Sequence, residues 1–210
     1  MNRRRLISTY RGLFGVLTLA VVMFQFSVSR QHPNYNLLNF WGYFTNLSNV
    51  LAAAVFLASA IRPTAPASAS LEPWRGAAVL CMTLTGVVFT VLLSGPDVLV
   101  LPSVNIVLHY LMPVVVFADW LVDPPQITLT MSQSLRWLCF PLTYIIYTMV
   151  RGQLTGWYPY PFLSPEVAGY PSVIIHSAGI FICVVILTWG IVALGNAVRS
   201  DRHRAPDAGG

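Results

Sequence analysis

Lysine is absent from this chain of 210 residues, and charge of either sign is scarce. Charged residues make up 9% of the sequence, against about 25% in ordinary soluble domains, whereas hydrophobic residues make up 56%. All 12 basic residues are arginines. They stand at the ends of apolar runs and form no single basic patch, which argues against a nucleic-acid-binding protein. The composition therefore indicates an integral membrane protein.

Metal and nucleotide motifs are also lacking. Cys81, Cys139 and Cys183 share no metal-ligand spacing and fall within apolar runs, where we expect them to be small core residues. His109 and His176 have no carboxylate or thiolate nearby in sequence, so they would make a poor metal site. No phosphate-binding loop and no dinucleotide fingerprint is present. We therefore predict neither a metal nor a cofactor.

Six apolar runs approach the roughly 20 residues that a membrane-spanning helix needs. The strict alternation of a membrane β-barrel is absent, and backbone groups in lipid must be satisfied within each segment. We predict an all-α bundle of six transmembrane helices in one domain at 1–198, followed by a flexible charged tail at 199–210. The predicted spans are 7–28, 40–61, 74–94, 102–122, 135–151 and 172–197.

The arginines predict the orientation of these helices. If the first run is a retained span and the N-terminus is cytoplasmic, ten arginines lie on that side and only Arg30 and Arg151 lie on the other. We therefore expect a multi-pass protein of the inner (cytoplasmic) membrane with both termini cytoplasmic. Its partners would be membrane lipids. The sequence carries no signal for an oligomeric state.

Prolines and aromatic residues predict further features. The outer loop at 152–171 is rich in both, which favours a stiff, non-helical cap on the outer end of the bundle. Pro113 and Pro141 fall within predicted spans, where we expect kinks. Asp119 and Trp120 are predicted to anchor the cytoplasmic side of the fourth span.

Polar side chains within the apolar runs concentrate at one predicted depth. Counted at about 1.5 Å per residue from the outer ends of the spans, Thr45 lies about 8 Å deep, His109 about 10 Å and His176 about 8 Å. Polar groups at membrane depth are expensive and usually face inward. We predict a pocket between helices, open to the outer leaflet. The fifth span adds a polar face at the same end: Tyr144, Tyr147 and Arg151.

The polar stretch that begins the second span, FTNLSN at 44–49, also has structural interpretations. Thr45, Ser48 and Asn49 share one helix face. The hydroxyls of Thr45 and Ser48 could bond to carbonyls of their own helix. Asn46 and Asn49 could join neighbouring helices, and His109 could make a structural hydrogen bond.

A catalytic interpretation uses the same residues. A hydroxyl becomes a nucleophile when a base accepts its proton, and histidine is the usual base. Thr45 and His109 have the right types at the right depth. The side chain of Asn105, one turn from His109, could hold the imidazole tautomer. Candidate groups for stabilising an oxyanion are the amides of Asn46 and Asn49 and the guanidinium of Arg151.

Three patches of the sequence follow specific patterns. Residues 40–45 read FWGYFT, a threonine preceded by aromatics. Asn105 and His109 form an Asn-x-x-x-His pattern before Pro113. The loop at 155–163 carries a Thr-Gly-aromatic pattern followed by Tyr-Pro-Phe-Leu. With these patches the sequence resembles the androgen-induced-gene family of six-span membrane proteins and its bacterial relatives, and the resemblance covers nearly the whole chain in the number and order of its spans.

The resemblance implies a threonine hydrolase, because animal members cleave fatty acid esters of hydroxy fatty acids. It implies Thr45 as the nucleophile and His109 as the base. The chain departs from the pattern in a His-to-Pro spacing one residue shorter, and in Arg151, where the animal proteins are expected to carry histidine. An arginine beside the pocket could bind the carboxylate of a fatty-acid-like substrate.

Two function classes therefore stay open. The first is an intramembrane hydrolase of a lipid or fatty acyl ester. The second is a non-catalytic membrane protein that binds or carries a lipid or small molecule. A proton-coupled transporter is less favoured, since the inner halves of the predicted spans offer few polar groups.

Overall fold

The computed structural model describes residues 3–61, 71–93 and 101–204, and within these ranges every regular element is a helix. The all-α prediction is confirmed. Nine helices are labelled in chain order: α1 (Arg3–Ser29), α2 (Leu37–Phe40), α3 (Phe44–Ile61), α4 (Glu72–Leu93), α5 (Pro102–Val122), α6 (Met131–Ser134), α7 (Cys139–Thr155), α8 (Pro165–Ala168) and α9 (Tyr170–Arg204).

Five helices in the described ranges are long and apolar enough to cross a membrane, namely α1, α3, α4, α5 and α9. They correspond to five of the six predicted spans. The predicted span at 135–151 begins instead as a 3-10 turn, Leu135–Leu138, and continues as α7, which has 17 residues. Pro141 lies in the first turn of α7, where its missing N–H costs no helical bond, so the expected mid-span kink is not needed there.

The second predicted span starts later than expected. Asn36 caps α2 by accepting hydrogen bonds from the N–H groups of Leu38 and Asn39, and the chain turns at Gly42 before α3 begins. A side chain at Gly42 would come within 2.7 Å of the Trp157 ring. Thr45 is therefore the second residue of α3 and not five residues inside it.

Helix α4 lies at the centre of the bundle, where it packs against α3, α5 and α9. Leu80, Cys81 and Met82 are fully buried on it. Cys81 is thus a core residue as expected, whereas Cys139 is exposed at the start of α7. Gly76 lets the Trp137 ring lie directly on the α4 backbone, because a Cβ there would overlap the ring.

Helix α5 contains one π-helical turn, Val107–Leu111. The N–H of Met112 bonds to the carbonyl of Val107, five residues earlier, and Pro113 has no N–H for the carbonyl of His109. Proline thus explains why the helix widens there. The turn carries His109.

The loop after α7 is ordered but partly helical, so the expectation of a non-helical cap is wrong in part. Residues 152–155 belong to α7, Pro161–Leu163 form a 3-10 turn, and α8 follows. Tyr160 and Phe162 stack with their ring planes 2° apart. At the other end of the chain, α9 places residues 199–204 of the predicted flexible tail in a helix, and the remainder of that tail lies outside the described residues.

Asp119 and Trp120, the predicted anchors of the fourth span, are both buried and hold α5 to other helices. Asp119 accepts hydrogen bonds from Arg11 at 2.7 and 2.9 Å and from Arg75 at 3.2 Å. The Trp120 indole donates to the carbonyl of Ile191 at 3.0 Å. We call this end of the bundle the ionic end. Its ionic cluster comprises Arg11, Glu72, Arg75, Asp119 and Asp123.

Candidate functional site

Thr45 and His109 meet at the opposite end of the bundle, which we call the dyad end. The Thr45 Oγ1 and His109 Nε2 atoms are 3.1 Å apart, within hydrogen-bond distance. Thr45 comes from the first turn of α3, and His109 from the π-helical turn of α5. The proximity expected from the sequence is therefore found, although the two residues are 64 positions apart.

The geometry around His109 selects one tautomer. His109 Nδ1 lies 3.3 Å from the carbonyl oxygen of Asn105, which can only accept a hydrogen bond. A proton on Nδ1 leaves Nε2 as the acceptor that faces the Thr45 hydroxyl. The Phe89 ring stacks on the imidazole at a centroid distance of 4.0 Å and fixes its plane. The group that holds the tautomer is the Asn105 carbonyl and not its side chain, which corrects the prediction from sequence.

Ser48 and Asn49 hold the helices that carry the pair. Asn49 donates to the carbonyls of Thr45 at 2.9 Å and Leu108 at 3.1 Å, so it joins α3 to α5 beside the π-helical turn. Ser48 donates to the carbonyl of Phe44 at 2.6 Å and lies 2.9 Å from the Thr85 hydroxyl of α4. These contacts fit the interpretation of Asn49 as a helix-joining residue and of Ser48 as a hydroxyl bonded to its own helix. The Asn49 amide donates to two carbonyls and is not aimed at an oxyanion.

Asn46 takes a different position. Its amide nitrogen donates to the carbonyl of Phe40 at 2.7 Å, which ties α3 to the end of α2. Its side-chain oxygen is buried and has no hydrogen-bond partner among the described residues. Asn46 also lines a cavity, so this side chain offers an acceptor, and not a donor, to a bound molecule.

Two cavities meet at Thr45. The larger has a volume of about 410 Å³ and reaches His109, Asn105 and Asn46. The smaller, about 100 Å³, runs between α3, α4, α7 and α9 and is almost wholly apolar. Four residues line both cavities: Thr45, Phe89, Leu93 and Tyr160.

Three predicted site residues lie elsewhere. Arg151 donates to Asn39 Oδ1 at 2.6 Å and sits 4.6 Å above the Trp157 ring. Tyr147 is half-exposed and shares a narrow crevice with Arg151. The His176 Nδ1 atom lies 2.8 Å from the carbonyl of Ser172 on its own helix. None of the three lines either cavity at Thr45, because their helix faces point away from it.

Tyr160 and Phe89 line the site, but they were not among the site residues predicted from the sequence. Phe89 lies within the apolar run of α4 and carries no polar signal in the sequence. Tyr160 lies in the Tyr-Pro-Phe-Leu patch of the outer loop, which was interpreted as part of a cap and of the family resemblance and not as part of the site. Burial raises the pKa of Tyr160 above its usual value, so its hydroxyl stays protonated and can donate a hydrogen bond.

The arrangement contains the groups that acyl transfer by a hydroxyl nucleophile requires. It provides a hydroxyl, an imidazole with its acceptor nitrogen toward that hydroxyl, and space on both sides of the pair. No group of three or more His, Cys, Asp or Glu side chains that could hold a metal ion is found in the described ranges.

Comparison of the chain with protein-family models, with curated proteins and with solved structures finds no match. The resemblance drawn from the sequence patches therefore stays a prediction.

Proposed function

We propose that the protein is an intramembrane ester hydrolase in which Thr45 is the nucleophile and His109 is the general base. The observation that carries the proposal is the 3.1 Å distance between Thr45 Oγ1 and His109 Nε2. It is supported by the position of Thr45 on the wall that two cavities share. A purely structural hydrogen bond between two helices would need no such space beside it.

In the proposed reaction, the Thr45 oxygen forms a bond to the ester carbonyl carbon while His109 Nε2 takes the hydroxyl proton. The carbonyl π electrons move to the oxygen, which becomes an oxyanion. When the carbonyl re-forms, the bond to the leaving alkoxide breaks, and His109 gives that alkoxide the proton. Water, deprotonated by His109, then attacks the acyl carbon. The bond to Thr45 Oγ1 breaks, His109 returns the proton to that oxygen, and a fatty acid is released.

The cavities suggest how the two parts of an ester would be placed. The small apolar cavity between α7 and α9 suits an acyl chain, which would enter from surrounding membrane lipid. The larger cavity has polar groups from Asn46, Asn105 and His109 and suits the alcohol part. Arg151 is engaged by Asn39 and Trp157, so we no longer assign it to a substrate carboxylate.

We also propose that the chain crosses the membrane six times, with both termini in the cytoplasm of a cell whose inner membrane holds it. Leu135–Leu138 and Cys139–Thr155 together form a rod of about 33 Å, at about 2.0 and 1.5 Å per residue. That length is sufficient to cross the roughly 30 Å of a hydrocarbon core. The arginine distribution supports the orientation.

A fluorophosphonate probe for hydroxyl nucleophiles tests the reaction directly. We expect labelling of the purified wild-type protein, with labelling lost in Thr45→Ala and in His109→Ala. The matched control is Thr188→Ala, which removes a buried threonine hydroxyl bonded only to its own helix, at the carbonyl of Val184. Equal labelling of Thr45→Ala and wild type, or no labelling of wild type, would refute the assignment of Thr45 as the nucleophile.

The second candidate is a protein that binds a lipid without reacting with it. The apolar cavity favours it, because an acyl chain could lie there with no chemistry at Thr45. Binding of a fluorescent fatty acid to a wild-type protein that neither takes the probe nor hydrolyses esters would support this candidate over the first.

A further inference from the structure

We infer that Tyr160 is a catalytic residue of the proposed hydrolase and that its hydroxyl stabilises the oxyanion formed when Thr45 attacks an ester. The inference rests on the proposed function. It gives a role to the Tyr-Pro-Phe-Leu patch of the outer loop, which the Thr45–His109 pair leaves unexplained.

The position of Tyr160 carries the inference. Tyr160 is 9% exposed, and like Thr45 it lines both cavities. Burial raises the pKa of Tyr160, whereas the Thr45 side chain and the backbone of Phe44 and Thr45 lower it, so the phenol lies close to the start of α3. An oxyanion that forms on a carbon bonded to Thr45 Oγ1 would therefore lie next to this hydroxyl.

The start of α3 strengthens the site. The first N–H groups of a helix have no carbonyl partner within it, and its N-terminus carries partial positive charge. α3 is 18 residues long and begins at Phe44, and Phe44, Thr45 and Tyr160 line the same cavity. An N–H group that donates to the phenolic oxygen would leave the Tyr160 O–H for a group bound in the cavity.

The ring of Tyr160 is held in place independently of its hydroxyl. It stacks on Phe162 at a centroid distance of 5.3 Å and meets the edge of Tyr43 at 5.9 Å. Pro161 starts the 3-10 turn that fixes the backbone. Tyr160→Phe therefore removes the donor and keeps the packing. No proton is transferred by Tyr160: the hydrogen bond forms with the oxyanion and is released when the carbonyl re-forms.

The test compares hydrolysis of 4-nitrophenyl octanoate in detergent micelles by wild type and Tyr160→Phe. Loss of one oxyanion donor typically lowers kcat on the order of 10²–10³-fold, and we expect this fall with KM changed less than about threefold. The control is Tyr158→Phe in the same loop, whose hydroxyl accepts from Gln153 at 3.2 Å and lines neither cavity at Thr45. It should keep the wild-type kcat.

The outcomes separate the two proposals. If Thr45→Ala is inactive but Tyr160→Phe keeps wild-type kcat, the role of Tyr160 is refuted and the hydrolase stands. If Tyr160→Phe raises KM alone, Tyr160 binds substrate and the oxyanion role is again refuted. If wild type does not hydrolyse the ester, or Thr45→Ala is as active as wild type, both proposals fall. A kcat loss accompanied by an unchanged melting temperature supports the inference.

Discussion

The two ends of the bundle bury polar side chains in opposite ways. At the ionic end, two arginines and three carboxylates from α1, α4, α5 and the residue after α5 lie 2.7–3.9 Å from one another. At the dyad end, a hydroxyl and an imidazole share one hydrogen bond of 3.1 Å, with cavities beside them. The ionic cluster consists of ionisable side chains, all of them buried except Asp123. The Thr45–His109 pair is uncharged in the tautomer that we assign, and a bound molecule could reach it.

This difference follows from the cost of burial. A buried charge is tolerated only when its partners stay in place, since loss of one partner leaves the others uncompensated. Such a cluster is suited to holding helices together and is poorly suited to changing partners. Neutral groups cost less to bury, so Thr45 and His109 can exchange their mutual bond for bonds to a substrate. The buried ion pairs and the proposed reaction thus lie at different ends of the bundle.

Asp119→Ala is expected to have the largest effect on stability. The change leaves Arg11 and Arg75 without the carboxylate that lies between them. Removing one partner of a buried ion pair typically costs about 3–5 kcal/mol. We expect a fall of this size in the free energy of unfolding, measured by SDS titration in mixed micelles.

The same titration of His109→Ala is the matched comparison at the dyad end. This variant loses one neutral hydrogen bond to Thr45 and the stacking on Phe89, so a loss of about 1–2 kcal/mol is expected. A larger loss for His109→Ala than for Asp119→Ala would reverse the assignment of the two ends and favour a packing role for His109.

Gly76→Ala is expected to have the next largest effect on stability. An added Cβ on α4 would overlap the Trp137 ring, and the surrounding core holds that ring in place. Overpacking of a core typically costs about 1–3 kcal/mol. The control is Gly190→Ala on α9, where no atom lies within 4 Å of the added carbon. A helix gains up to about 1 kcal/mol from glycine to alanine, so this control should be neutral or stabilising. Equal destabilisation by both variants would contradict the close packing at Gly76.

Asn49→Ala should lower the free energy of unfolding by a smaller amount, but it should also lower the rate of ester hydrolysis. Its amide joins the carbonyls of Thr45 and Leu108, one residue before His109. Loss of these bonds should lower the free energy of unfolding by about 1–2 kcal/mol. It should also lower ester hydrolysis, because the spacing of α3 and α5 sets the distance between Thr45 and His109. Unchanged hydrolysis with lowered stability would show that the pair is positioned without Asn49.

Much of the dyad end could be predicted from the sequence. Polar residues in apolar runs must face inward, and the order of the helices brings the start of α3 near the middle of α5. Thr45 lies nearer the start of its helix than predicted, because Asn36 caps the separate short helix α2 and the chain turns at Gly42 before α3 begins. That boundary depends on the packing of Trp157 against Gly42, a contact across 115 positions that no local pattern reveals.

The ionic end could not be predicted in the same way. Arg11 and Asp119 are 108 positions apart, and each resembles an ordinary charged residue at the end of a span. Only packing of α1 and α4 on α5 brings them together. Tyr160 was missed for a related reason: aromatic residues in an outer loop suit the membrane interface, and the inward fold of the loop is a tertiary feature.

Arg151→Ala should have the smallest effect and tests whether the site ends where the cavities do. Arg151 holds Asn39 and Trp157 at the surface of the dyad end, outside both cavities at Thr45. Loss of a part-buried polar contact and a cation–π contact should cost less than about 1 kcal/mol. Hydrolysis of a neutral ester and of an ester with a terminal carboxylate should both keep their wild-type KM. A tenfold rise in KM confined to the carboxylate substrate would restore Arg151 as the carboxylate-binding residue. The site would then extend beyond the two cavities at Thr45 to the end of α7.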